Sequence, residues 1–416
     1  MSATMTLRVS SDAEPQIRTV QSARKPGGGY NLPVGYLRAF ITLLVVAHHA
    51  VLAYYPQAPE PAASFAEGPR LWRAFPVVDA HRWPGFGLFV GFNDVFFMAL
   101  MFFLSGLFVW PSLARKGAGR FVRDRVVRLG IPFAVSAAIL APLAYYPAYL
   151  QSGNHAGFGA FMRQWFAQSD WPAGPAWFLW VLLAFDLAAA VLYKLLPAWG
   201  EALGHAVSSA DRRPLAFYAG LVAAASAAYL PMALLLDPFR WTAVGPFTFQ
   251  TSRIFHYLVY FFAGVAVGAW GAARGLLAPE GNLVKRWGRW LNACCFAFVA
   301  AIATFIAAIS AHSAPYFWGT VGGLTFELSC AASSLAAIAL ALRFFRTPRP
   351  VLDSLRDNAY GIYVLHYAFV SWVQYALLPA QLPGFVKGLV ATACAALLAW
   401  GASAALRRIP PVARVM

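Results

Sequence analysis

The amino-acid sequence predicts an all-α fold, a polytopic membrane helix bundle of about ten transmembrane helices with both termini cytoplasmic. Of the 416 residues, 60% are hydrophobic and 12% are charged, a composition typical of a protein whose solvent is mostly lipid. Several apolar segments are each long enough to cross a hydrocarbon core of roughly 30 Å. Basic-rich and basic-poor connections alternate between them, and the positive-inside rule places the basic-rich connections and both termini in the cytoplasm.

The apolar segments follow one another with short connections. They lie at approximately 34–55, 86–110, 129–149, 175–195, 214–236, 254–273, 290–311, 320–342, 358–378 and 384–406. The longest connection, 56–85, is too short to hold a soluble domain. We therefore predict a flexible cytoplasmic tail at 1–33, one transmembrane domain at 34–406 and a short cytoplasmic tail at 407–416.

The net charge of +16 does not indicate a nucleic-acid partner. No basic stripe is interleaved with aromatic residues on a soluble domain, and membrane topology accounts for the charge more simply. The four cysteines all fall inside apolar runs and lack the spacing of a metal site or a disulfide framework. We predict no metal site and no nucleic-acid binding.

The first apolar segment carries ionisable residues where they are costly. Arg38 lies near its start, and His48 and His49 lie deep inside it. Arg38 and His49 are eleven residues apart, so on a helix they return to one face within roughly 20°, whereas His48 points about 80° away. The axial separation of Arg38 and His49 is about 16 Å, which places Arg38 near a membrane surface and His49 near the midplane.

The connection after the second segment is strongly basic. Arg125 and Arg128 are three residues apart, which on a helical turn would present two guanidinium groups to a phosphate. The alternative is an anchor for anionic lipid headgroups. Before this connection, Ser105 and Gly106 form a small pair that permits close helix packing or a bend.

Carboxylates also fall inside apolar segments, at Asp94, Asp186 and Glu327. Each must face a cavity or a cation, and the sequence leaves open whether each forms a structural ion pair or contacts substrate. In the ninth segment, Tyr363 and His366 share a helix face. Two imidazoles on different helices favour a shared pocket, and haem ligation is the alternative.

These stretches resemble the acyltransferase-3 family of membrane sugar O-acyltransferases, most closely its glucan-biosynthesis protein C branch. The family's Arg-x10-His pattern is similar to Arg38 through His49, and its FF-x-LSGF element resembles 96–108. The RxxR element and the proline that follows resemble Arg125, Arg128 and Pro132. The Trp-Phe-Leu element resembles AWFLWVLL at 176–183, and S-Y-G-I-Y-x-x-H resembles NAYGIYVLH at 358–366. Leu107 and Ala359 depart from the pattern.

The resemblance implies transfer of an acyl group from cytoplasmic acyl-CoA to a hydroxyl of a periplasmic or cell-envelope carbohydrate, in a bacterial-type inner membrane. It implies a transmembrane acyltransferase domain at 34–406, with acyl-CoA as co-substrate, no bound cofactor, and membrane lipids around it. On this interpretation His49 is the general base and Arg38 orients the donor. The remaining predicted residues are Arg125, Arg128 and Ser105 for acyl-CoA, and Asp94, Trp177, Glu327, Tyr363 and His366 for the substrate pocket.

Several alternatives stay open at the level of sequence. The acyl group is acetyl or succinyl, and transfer is direct or passes through an acylated His49. A transporter or flippase of a lipid- or glycan-type substrate is the second functional interpretation. Its usual sign, a matched pair of interrupted helices in the two halves, is not apparent.

Overall fold

The computed structural model describes residues 32–65, 67, 70–168, 171–271, 273–311 and 313–415. Most of the predicted tail at 1–33 therefore lies outside the described residues. The helices are α1 Leu32–Val51, α2 Gly85–Gly106, α3 Val109–Lys116, α4 Ala118–Arg125, α5 Ile131–Val135, α6 Ala141–Gln151, α7 Gly157–Ala167, α8 Trp177–Leu195, α9 Trp199–Ala206, α10 Pro214–Leu236, α11 Ile254–Trp270, α12 Asn282–Lys285, α13 Trp287–Ser310, α14 Pro315–Phe344, α15 Pro350–Leu377, α16 Gly384–Leu406 and α17 Pro410–Val415. The strands are β1 Trp241–Val244 and β2 Phe247–Gln250.

The predicted all-α membrane bundle is confirmed. Within the described chain, nine helical segments are long and apolar enough to cross a membrane. The predicted segment 358–378 falls in α15, which is not among the nine although it has 28 residues. Buried polar side chains such as His366 and Gln374 make α15 less apolar, and it packs between α1 and α16, which are both among the nine.

The third span differs from its prediction. The basic connection after α2 is helical rather than a loop, and one continuous helical segment runs from Ala118 to Gln151. Arginine and alanine are good helix formers, and Gly117, at φ 75°, separates this segment from α3. Two π-helical turns, Val126–Gly130 and Ser136–Leu140, interrupt its α-helical geometry.

An antiparallel hairpin, absent from the prediction, joins α10 to α11. β1 and β2 pair with Trp241 opposite Gln250 and Val244 opposite Phe247. Gly245, at φ 56°, lies in the turn, where a positive φ favours glycine. Trp180 of α8 donates its indole N–H to the carbonyl of Thr248 at 2.9 Å, so the hairpin is fixed to the bundle.

Helices α1 and α15 lie side by side and parallel. Near their starts, the Tyr36 hydroxyl donates to the Asp353 carboxylate at 2.8 Å and accepts from the Arg349 amide at 3.0 Å. Near their ends, the Gln374 side-chain amide donates to the carbonyls of His49 and Ala50, both at 2.9 Å. These bonds hold the far end of α1 against α15.

Helices α2 and α11 approach each other closely because glycine occupies the contact. A Cβ atom on Gly264 would lie 2.0 Å from the Phe103 carbonyl oxygen, and one on Gly106 would lie 2.1 Å from that of Phe261. The backbones therefore touch, as in close-packed membrane helices with small residues at the interface. The Ser105–Gly106 pair serves helix packing here, and the Ser105 hydroxyl donates to the Met101 carbonyl of its own helix at 2.8 Å.

We expect Gly264→Val to prevent correct packing of α2 on α11, because its side chain would overlap backbone atoms that have no room to move. The loss of stability should exceed the roughly 1–3 kcal/mol typical of an overpacked core. The matched control is Gly220→Ala in α10, where an added Cβ meets nothing within 4 Å. Thermal unfolding in detergent would measure both variants, and a Gly264→Val protein as stable as the control would contradict the close contact.

Candidate active site

The candidate site centres on His49 of α1 and His366 of α15. Their ring centroids are 5.2 Å apart, and His366 Nε2 lies 3.4 Å from His49 Nδ1. His366 is only 1% exposed, whereas His49 is partly exposed, so His49 is the member of the pair that a substrate can reach. The direct contact of the two rings leaves no space for a porphyrin between them, which disfavours the haem interpretation.

The hydrogen-bond partners assign the tautomer of each imidazole. His49 Nδ1 lies 2.8 Å from the Val45 carbonyl oxygen, and His366 Nδ1 lies 2.6 Å from that of Tyr363. A carbonyl oxygen only accepts, so in both neutral rings Nδ1 carries the hydrogen and Nε2 carries a lone pair. The Nε2 lone pair of His366 faces the Nδ1–H group of His49. His49 Nε2 forms no hydrogen bond with the described residues, so it can accept a proton.

His48 faces a different helix from His49. Its ring lies 5.1 Å from that of Phe97 on α2, and it interacts electrostatically with Asp94 on the same helix. Asp94 in turn pairs with Arg253, at 2.8 Å between the carboxylate and the guanidinium group. The Asp94 side chain is 47% exposed although it lies in a membrane helix, so it borders accessible space.

A second pair lies one turn along α11. His256 Nδ1 lies 2.7 Å from a carboxylate oxygen of Glu327 on α14, and both residues are fully buried. The sequence reasoning did not select Arg253 or His256 as partners of these carboxylates. The sequence does contain a signal for them, since Arg253 and His256 are three residues apart at the start of the apolar run of α11.

The predicted substrate pocket is therefore resolved into two neighbouring groups. His366 contacts both His49 and Tyr363, and the Tyr363 hydroxyl donates to the Pro175 carbonyl. Asp94 and Glu327 belong to the group around α11. Trp177 lies beside that second group, with its ring 5.7 Å from that of Tyr257.

The predicted donor-binding arginines separate in the structure. Arg125 pairs with the buried Asp186 at 3.3 Å and covers the Phe121 ring, so its charge is already neutralised. The π-turn that begins at Val126 changes the helical phase, so the spacing of three no longer aligns Arg125 with Arg128. The backbone carbonyl of Arg128 accepts a hydrogen bond from the Tyr360 hydroxyl.

Arg38 and Arg128 come together around Tyr360. Both guanidinium groups are close enough to interact electrostatically with its hydroxyl. Neither forms an ion pair within the described part of the chain, so both are available to an anionic ligand. Ser105 is held by its own helix, and among the described residues it forms no hydrogen bond with either arginine.

His49 lies close to the end of α1. The α-helix ends at Val51, so His49 lies in its last turn. The segment Leu52–Tyr54 continues as a tighter 3₁₀ turn. Together they form one span, Leu32–Tyr54, close to the predicted 34–55.

A buried ion pair fixes the connection that follows α1, close to His49. Lys387 of α16, 0% exposed, lies 2.6 Å from the carboxylate of Asp79, which is 2% exposed. The Asp79 amide donates to the Ala53 carbonyl at 2.9 Å, and the Trp83 amide donates to that of Tyr54 at 3.0 Å. This pair thus connects α16 to the residues that follow His49.

The fold and the site together define a multi-pass membrane protein with an accessible imidazole inside its helix bundle. Residues 34–406 match the acyltransferase-3 family, described as an acyltransferase domain, and the chain belongs to this family. Comparisons with curated proteins and with solved structures gave no match. The predicted family and the general class, an acyltransferase in a membrane, are confirmed, whereas the glucan-biosynthesis branch stays a prediction.

We expect Lys387→Met to destabilise the fold, because it leaves the Asp79 carboxylate buried without its cation. Removing one partner of a buried ion pair costs roughly 3–5 kcal/mol. Lys194→Met, at an exposed position of α8, is the control and should change stability little. The free energy of unfolding in detergent measures both.

Adding Asp79→Leu to Lys387→Met should recover part of the loss, since the buried carboxylate, which then keeps only its contacts with His81 among the described residues, is removed. A Lys387→Met protein with the stability of the Lys194→Met control would show that the pair does not hold the loop.

Proposed function

We propose that the protein is an integral membrane O-acyltransferase that moves an acyl group from cytoplasmic acyl-CoA to a carbohydrate hydroxyl at the periplasmic or cell-envelope side, in a bacterial-type inner membrane. The observation that carries the proposal is the free Nε2 lone pair of His49, aligned by His366 and accessible inside the bundle. Family membership supports the reaction class, and the donor and acceptor are part of the proposal.

His49 acts as the general base in this reaction. Its Nε2 takes the proton of the acceptor hydroxyl while the hydroxyl oxygen bonds to the acyl carbon of the thioester. The carbon–sulfur bond then breaks, and the proton passes from His49 to the departing thiolate. The imidazolium formed in between keeps its Nδ1–H on the Val45 carbonyl and His366, which hold the ring in place.

The donor enters from the end of the bundle where Arg38 and Arg128 meet. Guanidinium groups bind phosphate well because several of their N–H donors match the phosphate oxygens. CoA has its phosphates at one end and its thioester at the other. Arg38 and His49 share one face of α1 about 16 Å apart, an arrangement suited to an elongated donor.

The acceptor meets the site from the opposite end. Asp94 offers a partly exposed carboxylate that accepts hydrogen bonds from sugar hydroxyls, and Arg253 prevents it from carrying an unpaired charge. Trp177 and Tyr257 offer apolar ring faces beside it. We therefore place the carbohydrate between this group and His49.

Replacing the base tests the mechanism directly. We expect His49→Ala to lower the acylation rate by about 10²–10⁴-fold, the usual contribution of a positioned general base. His48→Ala is the matched control, because its ring faces Phe97 rather than His366, and it should retain most of the activity. Mass spectra of the cell's extractable glycans give the readout at equal protein levels.

Unchanged glycan acylation in His49→Ala would contradict the proposed role of His49. A His48→Ala variant more impaired than His49→Ala would show that the wrong imidazole was assigned. Substrate movement across vesicles without any acyl donor would instead indicate a transporter.

Donor binding predicts a different kinetic signature. We expect Arg128→Gln and Arg38→Gln each to raise the KM for acetyl-CoA about 10-fold, since a lost charge-assisted hydrogen bond removes roughly 1.5–3 kcal/mol of binding. Arg163→Gln, on an exposed position of α7, is the control. Membranes containing each variant, assayed over a range of acetyl-CoA concentrations, provide the comparison, and an unchanged KM in both variants would exclude these arginines as donor contacts.

A further inference from the structure

A small cavity lies beside the histidine pair. It is bounded by the second π-turn of the third span, by the loop before α8 and by α15, and its volume is about 20 Å³. A cavity of about 10–15 Å³ is large enough for one water molecule. This cavity therefore accommodates a group of about methyl size. Its walls include Ser136, Ala141, Ala176, Val364 and His366.

Local geometry keeps this cavity open. The π-turn Ser136–Leu140 displaces the helix backbone locally, as such turns often do at functional sites. On the opposite side, the Tyr363 hydroxyl holds the Pro175 carbonyl. Gly174, at φ 58°, lets the loop lie against α15, because a Cβ there would come within 3.0 Å of the Tyr367 ring.

The cavity adjoins the proposed base. His366 and Tyr367 form part of its wall, and the rings of both contact the His49 ring at 5.2 Å. Along α15, the cavity wall begins one turn after Tyr360, the residue that Arg38 and Arg128 approach. A donor extending from those arginines to His49 would therefore pass beside the cavity.

The chemistry of the wall is mostly apolar with one unused hydroxyl. Ser136 is 3% exposed, and its Oγ has no hydrogen-bond partner among the described residues. A buried hydroxyl without a partner is unfavourable, which points to a ligand that completes its bonding. None of the described lining residues is Lys, Arg, Asp or Glu.

We propose that this cavity is the acyl-group site and that it restricts the donor to acetyl; the inference rests on the proposed O-acyl transfer. The methyl group occupies the apolar space, and the Ser136 hydroxyl donates to the carbonyl oxygen of the thioester. A succinyl group would bring a carboxylate into a space with no cation in its wall, which is strongly unfavourable. Longer acyl chains exceed its volume.

The Ser136 hydroxyl also takes part in the reaction. When the acceptor oxygen bonds to the acyl carbon, negative charge develops on the former carbonyl oxygen, and a positioned donor stabilises it. That charge returns to the carbonyl as the carbon–sulfur bond breaks, and the thiolate receives the proton held by His49. Ser136 itself neither gains nor loses a proton.

Donor selectivity tests the assignment. The full-length protein in membranes is supplied with acetyl-, propionyl- or succinyl-CoA and with glycans extracted from cells that lack it. We expect the unaltered protein to prefer acetyl-CoA over propionyl-CoA by about 10-fold or more, the usual effect of one methylene in a tight pocket. Succinyl transfer should be weaker still.

Three variants and a control sharpen the test. Ala176→Val narrows the cavity and should lower acetyl transfer about 10-fold or more, whereas Val364→Ala should relax the preference over propionyl-CoA. Ser136→Ala should lower kcat by about 10-fold or more with little change in KM. Ala138→Val, on the exposed face of the same π-turn, should behave as the unaltered protein.

Equilibrium binding of the same three CoA esters to the purified protein separates this proposal from the proposed function. If no ester is transferred but acetyl-CoA binds more tightly than propionyl- and succinyl-CoA, and Val364→Ala reduces that difference, the cavity assignment stands and the transfer reaction does not. Equal use or equal binding of the three esters, or wild-type selectivity in both Ala176→Val and Val364→Ala, overturns the cavity assignment.

Discussion

The packing of α1 against α15 is the interaction on which the rest of the site depends. A helix that ends inside a membrane protein leaves carbonyl groups that need hydrogen-bond donors, because lipid supplies none. Gln374 supplies two such bonds at the end of α1, and Tyr36 ties the two helices together at their starts. At the Gln374 end, His49 and His366 are held within hydrogen-bonding reach. The orientation of the base is therefore a consequence of satisfying the backbone where α1 ends.

Charge pairing decides which ionisable groups remain available. Three acids inside the bundle or beneath its loop meet a cation from another part of the chain, in the pairs Asp186–Arg125, Asp94–Arg253 and Asp79–Lys387, and a fourth, Glu327, lies against the His256 imidazole. Such pairing avoids the large cost of an isolated buried charge. Arg38 and Arg128 form no ion pair within the described residues, and His49 keeps a free nitrogen. The proposed reaction uses these groups, the two arginines for phosphate binding and the imidazole for proton transfer.

The third span connects the arginines proposed to bind phosphate with the histidine pair. Its first π-turn follows Arg125 and contains Arg128, and its second forms a wall of the cavity beside His366. Departures from α-helical geometry therefore occur at the two levels where a donor would be bound, at its phosphates and at its acyl group. The loop before α8 closes the cavity from the other side, held by Tyr363 and by the close approach that Gly174 permits. The third span and the loop before α8 would therefore set both where the donor binds and how large its acyl group can be.

The sequence by itself determined the all-α membrane fold, most span positions and the separation of His49 from His48, because apolar length and helical periodicity are local properties. It did not reveal Arg253 and His256 as partners of Asp94 and Glu327, which are 159 and 71 residues away along the chain. The phase of Arg125 and Arg128 also required the structure, since a π-turn changes the repeat without an evident sequence signal. Likewise, α1 ends two residues after His49, and Gln374 of α15, which is far away along the chain but adjacent in the fold, stabilises that end. These features were decided by tertiary packing, because in lipid the partners available to a buried polar group are those that the fold places beside it.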